Sequence, residues 1–309
     1  MTNLAAPRFT NDQAAREHLE ATRWPAGPEC PHCGVVDQAS RIKGGRDGLL
    51  FCNACRKQFS VTVGTVFERS KVPLHKWVLA VHLLCASKKG MSSHQLHRML
   101  GVTYKTAWFM AHRIHEAMRE ANPTPMGGEG KIVEADETYV GGKEKNKHVG
   151  KRTRGNIGGT GKEVVFSLVE RGGRVRSHHV ATVTAKTLRP ILVSQISGKS
   201  SLMTDDAGQY RHMGKDFARH ETVNHGADEY VRGDAHTNTI EGYFATLKRG
   251  IYGTYHHVSQ QHLKRYLGAF DFRYNERGVT DDERTTAALK GIGGKRITYR
   301  RTGREGAQV

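Results

Sequence analysis

Residues 131–140 read KIVEADETYV. Ile132, Val133 and Ala135 give the run an apolar frame, Tyr139 and Val140 close it, and glycines flank it at 130 and 141. Such a run reads as a β-strand. An acid, Asp136, stands at its centre, where a solvated loop residue would not be expected.

The elements that follow decide the fold. Residues 141–162 hold seven Lys or Arg, one Glu and seven Gly, and read as a flexible basic loop. Residues 163–170 and 174–183 read as a hairpin around Gly172 and Gly173. A helix is expected over 184–196 and a short buried strand over 200–204, ending at Asp205 and Asp206. A loop and helical turn lead to a strand near 220–224, then helices over 236–249 and 262–274. Three strands, a helix, a strand, a turn, a strand and a helix is the order of the ribonuclease-H-like fold, a mixed sheet with helices on both faces. The first and fourth strands are neighbours in that order, so Asp136 and Asp205 are expected to converge, with Glu241 on the helix after the fifth strand.

Three carboxylates at about 4 Å would repel by roughly 4 kcal/mol per pair at an effective dielectric of 20. Divalent cations remove that penalty. All-oxygen donors suit Mg²⁺ or Mn²⁺, and a pair of such ions suits in-line displacement at phosphorus. Alternatives remain within the motif. Glu137 points to the opposite face of a strand from Asp136, but Glu134 shares its face, so alternation does not separate those two. Asp206 adjoins Asp205. Asn238 lies three residues before Glu241 on the same helix face, and Lys248 lies two turns after it.

The region before the strand has a different character. Cys30-Pro-His-Cys33 and Cys52-Asn-Ala-Cys55 are separated by eighteen residues. Two CxxC turns at that spacing complete a tetrahedral thiolate shell for one structural Zn²⁺, a zinc ribbon. Cys85 lies in an apolar helical stretch and reads as a core thiol. A helix is expected over 10–22 and another over 74–86. A further pair runs from Ser92 to Leu100 and, after Gly101, from Thr103 to about Glu120. Helix, glycine turn, helix is the helix-turn-helix pattern, with Tyr104, Lys105 and Thr106 at the end of the second helix that meets base edges.

The whole chain agrees with this division. It has 309 residues and a formal charge of +18, with 37% hydrophobic and 25% charged residues. That composition is globular and favours a polyanionic partner, double-stranded DNA first. No apolar run is long enough to span a bilayer and no secretory leader is evident, so a cytoplasmic, nucleoid-associated protein with no membrane partner is expected. The expected domains are an N-terminal helix (1–28), the zinc ribbon (29–62), a helix-turn-helix domain (73–121), a linker (122–130), a ribonuclease-H-like domain (131–278) and a basic tail (279–309).

The stretches WPAGPECPHCG, CNACRKQFSVTVGTVFERSKVPLHKW, VEADETYVGGK and HTNTIEGYFATLKRGIYGTYHHVSQQHLKRYLGAFDFRYNER together resemble DDE transposases of bacterial insertion sequences, of the type with an N-terminal zinc ribbon. The resemblance implies an enzyme that binds the terminal inverted repeats of its element, hydrolyses the phosphodiester there and transfers the strand to target DNA. It implies Asp136, Asp205 and Glu241 as ligands of two Mg²⁺ (or Mn²⁺), favours Asp136 over Glu134, and implies Lys248 as the lysine that follows the last acid. Where the family often has Gly-Trp after the second acid, this chain has Asp206-Ala207, while the following Tyr is kept as Tyr210. Some members use Asn as the third residue, so Asn238 stays beside Glu241. Lys151, Arg152, Arg154, Lys248, Arg249 and the tail cations Lys295, Arg296, Arg300 and Arg301 are expected on phosphates. Joining two DNA ends implies a homodimer or larger. A non-enzymatic DNA-binding regulator, or a catalytically dead derivative, is the competing expectation.

Overall fold

The computed structural model describes residues 2–142, 148–151, 159, 161–224, 229 and 231–298. The chain folds as two compact units, Met1–Arg119 with Val279–Val309, and Glu120–Gly278. Among the described residues no helix is long and apolar enough to cross a membrane.

The first unit begins with helices α1 (Pro7–Thr10) and α2 (Asp12–Arg23). Asn11 caps α2 by accepting the Ala14 amide at 3.0 Å. A three-stranded antiparallel sheet follows, β1 (Ala39–Arg41), β2 (Leu50–Cys52) and β3 (Gln58–Phe59), with β2 central. Helix α3 (Leu74–Ala86) is apolar on nearly every side and buries Trp77, Val81, Leu84 and Cys85, as a helix must when neighbours surround it. Helices α4 (Ser93–Leu100) and α5 (Tyr104–Met118) start at the hydroxyl caps of Ser92 and Thr103. Gly101 adopts φ +60 between them, a left-handed C-cap.

The segment after 279, expected as a basic tail, carries helix α9 (Asp281–Lys290), which opens on a capping box between Thr280 and Glu283. Its buried residues Thr285, Ala288 and Leu289 are too few to give an apolar stripe, yet they suffice against α3. Thr285 Oγ1 lies 3.0 Å from His82 Nδ1 on that helix.

The second unit is built on a five-stranded mixed sheet in the order β6-β5-β4-β7-β8. Its strands are β4 (Ile132–Val140), β5 (Glu163–Glu170), β6 (Val175–Val180), β7 (Ser201–Asp205) and β8 (Arg219–Val223). β4, β5 and β6 run antiparallel, while β7 and β8 run parallel to β4. Helix α6 (Ala185–Gln195) covers one face, where Leu188 and Leu192 join Val133, Ala135, Phe166 and Leu168. Helices α7 (Asn238–Gly250) and α8 (Gln260–Asn275) cover the other, where Ile240, Phe244, Leu263 and Phe270 join Val140, Val165 and Val169. Alternation along β4 therefore sends odd residues such as Val133 and Ala135 toward α6 and even ones toward α7.

Candidate functional site

In the first unit, the four cysteine sulfurs lie within 4.8 Å of one another. Cys30 Sγ is 3.6 Å from Cys55 Sγ, and Cys33 Sγ is 3.7 Å from Cys52 Sγ. A regular tetrahedron with Zn–S bonds of about 2.3 Å has an edge of about 3.8 Å, so the thiols fit one zinc ion. The two knuckles repeat one backbone device. The Gly34 amide donates to the Cys30 carbonyl and the Arg56 amide to the Cys52 carbonyl, both at 2.9 Å. Each donor residue is left-handed, Gly34 at φ +74 and Arg56 at φ +60.

Around α4 and α5 the surface is basic. Residues 69–115 contain eight Lys or Arg and no Asp or Glu. Tyr104 and Lys105 are exposed at the start of α5, and the Tyr104 ring stacks on His94 of α4 at 4.3 Å. Thr106 is half-buried, its hydroxyl 2.9 Å from that of the exposed N-cap Thr103. Lys295 serves the fold, its ammonium donating to the Ala117 carbonyl at 2.9 Å and to the Arg119 carbonyl at the end of α5. Arg296 sits 3.9 Å from Glu68. Arg152, Arg154, Arg300 and Arg301 lie outside the described residues, and only the backbone of Lys151 is described.

In the second unit, β4 and β7 bring two acids level. Their parallel register pairs Glu134 with Met203, so two residues on Asp136 comes beside Asp205. Glu241 stands in the first turn of α7. The electrostatics register this convergence. Burial first, then the carboxylates of Glu137, Asp205 and Glu241, push the Asp136 carboxyl up to about 8, against the Glu137 amide that draws it down. Asp206 is exposed, and its amide continues the ladder to the Val223 carbonyl. Asn238 is exposed at the first position of α7. Lys248 is half-buried in the last turn of α7, and Arg249 is exposed beside it with Nε donating to the Ala245 carbonyl at 3.1 Å.

A carboxyl raised first by burial and then by neighbouring carboxylates fits a hard divalent cation, because positive charge offsets both effects. Among the described residues, only the four cysteines close to within 4.8 Å as a group of three or more such ligands. Asp136, Asp205 and Glu241 do not form such a group at that distance.

Two glutamates beside Asp136 take other partners. Glu134 is fully buried and pairs with Arg171, whose Nε lies 2.6 Å from its Oε1. Glu137 is half-buried, and burial pushes its carboxyl up against the Tyr210 hydroxyl, which donates to it at 2.5 Å. Neither pairing is visible in the local sequence, since the partners lie 37 and 73 residues away.

Residues 127–275 match the ISXO2-like transposase domain, and residues 10–58 match the transposase zinc-ribbon domain. The chain is 34% identical over 280 residues to the uncharacterized protein in transposable element ISH50 of Halobacterium salinarum, covering 86% of this chain and 91% of that protein. Among solved structures, the simian T-cell lymphotropic virus intasome in complex with PP2A regulatory subunit B56 gamma contains a chain 17% identical, with a TM-score of 0.21. That match spans 64% of this chain and 63% of the other, and at that score it bears on neither fold nor function. By its two matched domains and its relative, the chain belongs to the ISXO2-like transposase family with an N-terminal transposase zinc-ribbon domain.

Proposed function

We propose that the chain binds the terminal inverted repeats of an insertion sequence and performs metal-dependent phosphodiester hydrolysis and strand transfer there. The observation that carries this reading is the register of β4 and β7, which sets Asp136 level with Asp205, with Glu241 in the first turn of α7. The sheet order, with its two parallel strands on one side of β4, supports a ribonuclease-H-like catalytic domain.

Asp136, Asp205 and Glu241 would hold two Mg²⁺ or Mn²⁺. When bound, such ions lower the pKa of an attacking hydroxyl and offset charge on the leaving oxygen in an in-line displacement. The protein's own part is to hold the carboxylates ready and give up the proton that Asp136 keeps. Lys248, two turns past Glu241 in the last turn of α7, would neutralise a neighbouring phosphate. The pair α4 and α5, read as a helix-turn-helix, would present Tyr104 and Lys105 to the DNA ends from a stretch of sequence without Asp or Glu. Handling two ends calls for at least a dimer.

The test is a cleavage assay on end DNA with Mg²⁺ or EDTA, beside Asp136→Ala. Nicking that needs Mg²⁺ and is lost in the variant, with end binding kept, supports the enzyme. Tight binding without cleavage by either protein returns the reading to a DNA-binding regulator or a dead derivative.

A further inference from the structure

We infer that Glu134 and Glu137, the glutamates that bracket Asp136, are positioning residues, each tying the element that carries another of the three acids onto β4. The inference rests on the reading of Asp136, Asp205 and Glu241 as the metal-holding acids.

Glu134 faces α7 with no exposed surface. Its Oε2 accepts the Ile240 amide at 2.9 Å, and its Oε1 accepts from Thr239 Oγ1 at 2.9 Å and Arg171 Nε at 2.6 Å. The first amides of a helix have no partner within it. Thr237, at the N-cap of α7, makes no side-chain cap bond, so the cap comes from Glu134, 106 residues away. Arg171 extends the same clamp. Its other two nitrogens donate to the Asp234 carbonyl at 2.8 Å and the His236 carbonyl at 2.9 Å, on the segment leading into the helix. Glu241 is the next residue after Ile240. A local Ser or Asp caps a helix with no buried charge, and a buried ion pair is seldom more stable than an apolar replacement. What the pair adds is direction, since it fixes the first turn of α7 against the strand two residues from Asp136.

Glu137 makes the matching attachment on the opposite face. Its two oxygens accept from the Tyr210 hydroxyl at 2.5 Å and Gln209 Nε2 at 3.0 Å. Both donors belong to the helical turn Gly208–Tyr210, which begins three residues after Asp205, the last residue of β7. One strand thus carries the central acid and a tether to each of the elements bearing its companions.

The experiment uses the full chain and four variants, Glu134→Gln, Thr239→Val, Thr239→Ser and Tyr210→Phe, with Asp136→Ala as reference. Thermal unfolding and zinc content report folding, electron paramagnetic resonance reports Mn²⁺ binding, and end cleavage is followed against Mg²⁺ concentration. Outer partners of metal ligands typically change affinity about 10- to 100-fold. Thr239→Val and Tyr210→Phe are expected to remain folded and bind end DNA, yet to need about tenfold more Mn²⁺ or Mg²⁺ for half-saturation. Glu134→Gln should need still more, and Thr239→Ser should restore the wild-type requirement. Folded variants with unchanged metal requirement overturn the inference, as does a lowered melting temperature with no change in metal requirement. If the unaltered protein neither binds Mn²⁺ nor cleaves, the metal-holding reading fails and takes the inference with it.

Discussion

The hydroxyl of Tyr243 stands 2.6 Å from the Oδ1 of Asp271, joining α7 to α8 through a part-buried hydrogen bond. Asp271 also accepts the Ser177 hydroxyl at 2.7 Å and the Ser177 amide at 2.8 Å, so both helices are pinned to β6 at one carboxylate. Burial pushes that carboxyl up to about 6, against the Tyr243 and Ser177 donors that draw it down. Asp271→Ala strands those donors without an acceptor and should cost about 3 kcal/mol of unfolding free energy, read by denaturant titration. The sign of the pH effect follows from a folded pKa above the unfolded value of 3.8. The contribution of Asp271 is fully present below pH 4 and is lost as pH rises through about 6.

Asp136 behaves in the same sense and more strongly. Its carboxyl is pushed up to about 8 from a starting value of 3.8, so in the metal-free protein it weakens the fold progressively as pH rises from 4 to 8. Asp136→Asn should therefore raise the metal-free unfolding free energy, by on the order of 1–3 kcal/mol at pH 8 and near zero at pH 4, read by denaturant titration. It should abolish strand cleavage and leave end binding intact. A variant less stable than the parent at pH 8 would count against the electrostatic account.

At the exposed start of α5, Lys105→Ala should weaken binding to end DNA regardless of sequence and reduce the slope of log affinity against log salt by about 1. Fluorescence anisotropy at several salt concentrations measures it. An unchanged slope would place Lys105 away from the phosphates.

The two zinc knuckles differ at one position of matched backbone. Arg56 holds the left-handed conformation that glycine holds at Gly34. Such a conformation costs a non-glycine residue roughly 1–2 kcal/mol, so Arg56→Gly should strengthen the ribbon by about 1 kcal/mol, seen as greater resistance to chelator. Cys30→Ser removes one of four thiolates and should abolish bound zinc by atomic absorption and weaken end binding. Zinc content equal to the parent's would refute the four-cysteine site.

Much of this architecture is legible in the sequence because the signals are local. Ser92, Thr103 and Gly101 mark helix ends by chemistry that acts within four residues, and the structure uses each of them. β4, β5 and β7 follow from apolar runs between glycines and turns. Helix α9 was not legible, because Asp281, Asp282, Glu283 and Arg284 read as a solvated surface and only three of its residues are buried. The roles of Glu134 and Glu137 were hidden for another reason. Strand alternation puts Glu134 on the same face as Asp136, and only tertiary partners such as Arg171 and Ile240 tell them apart.

The return of α9 to α3 has a consequence for synthesis. Residues 120–278, the whole of the second unit, are translated before the first unit receives the helix that covers its core. Until then α3 lacks the Thr285 hydroxyl beside His82 and the Arg284 guanidinium that donates to the Cys85 carbonyl at 3.1 Å. A chain terminated early holds all four zinc cysteines yet leaves an apolar helix uncovered, which favours its aggregation and removal. The zinc-ribbon unit and the transposase-domain unit are thus delivered by the ribosome as one product, and prematurely ended copies do not persist beside it.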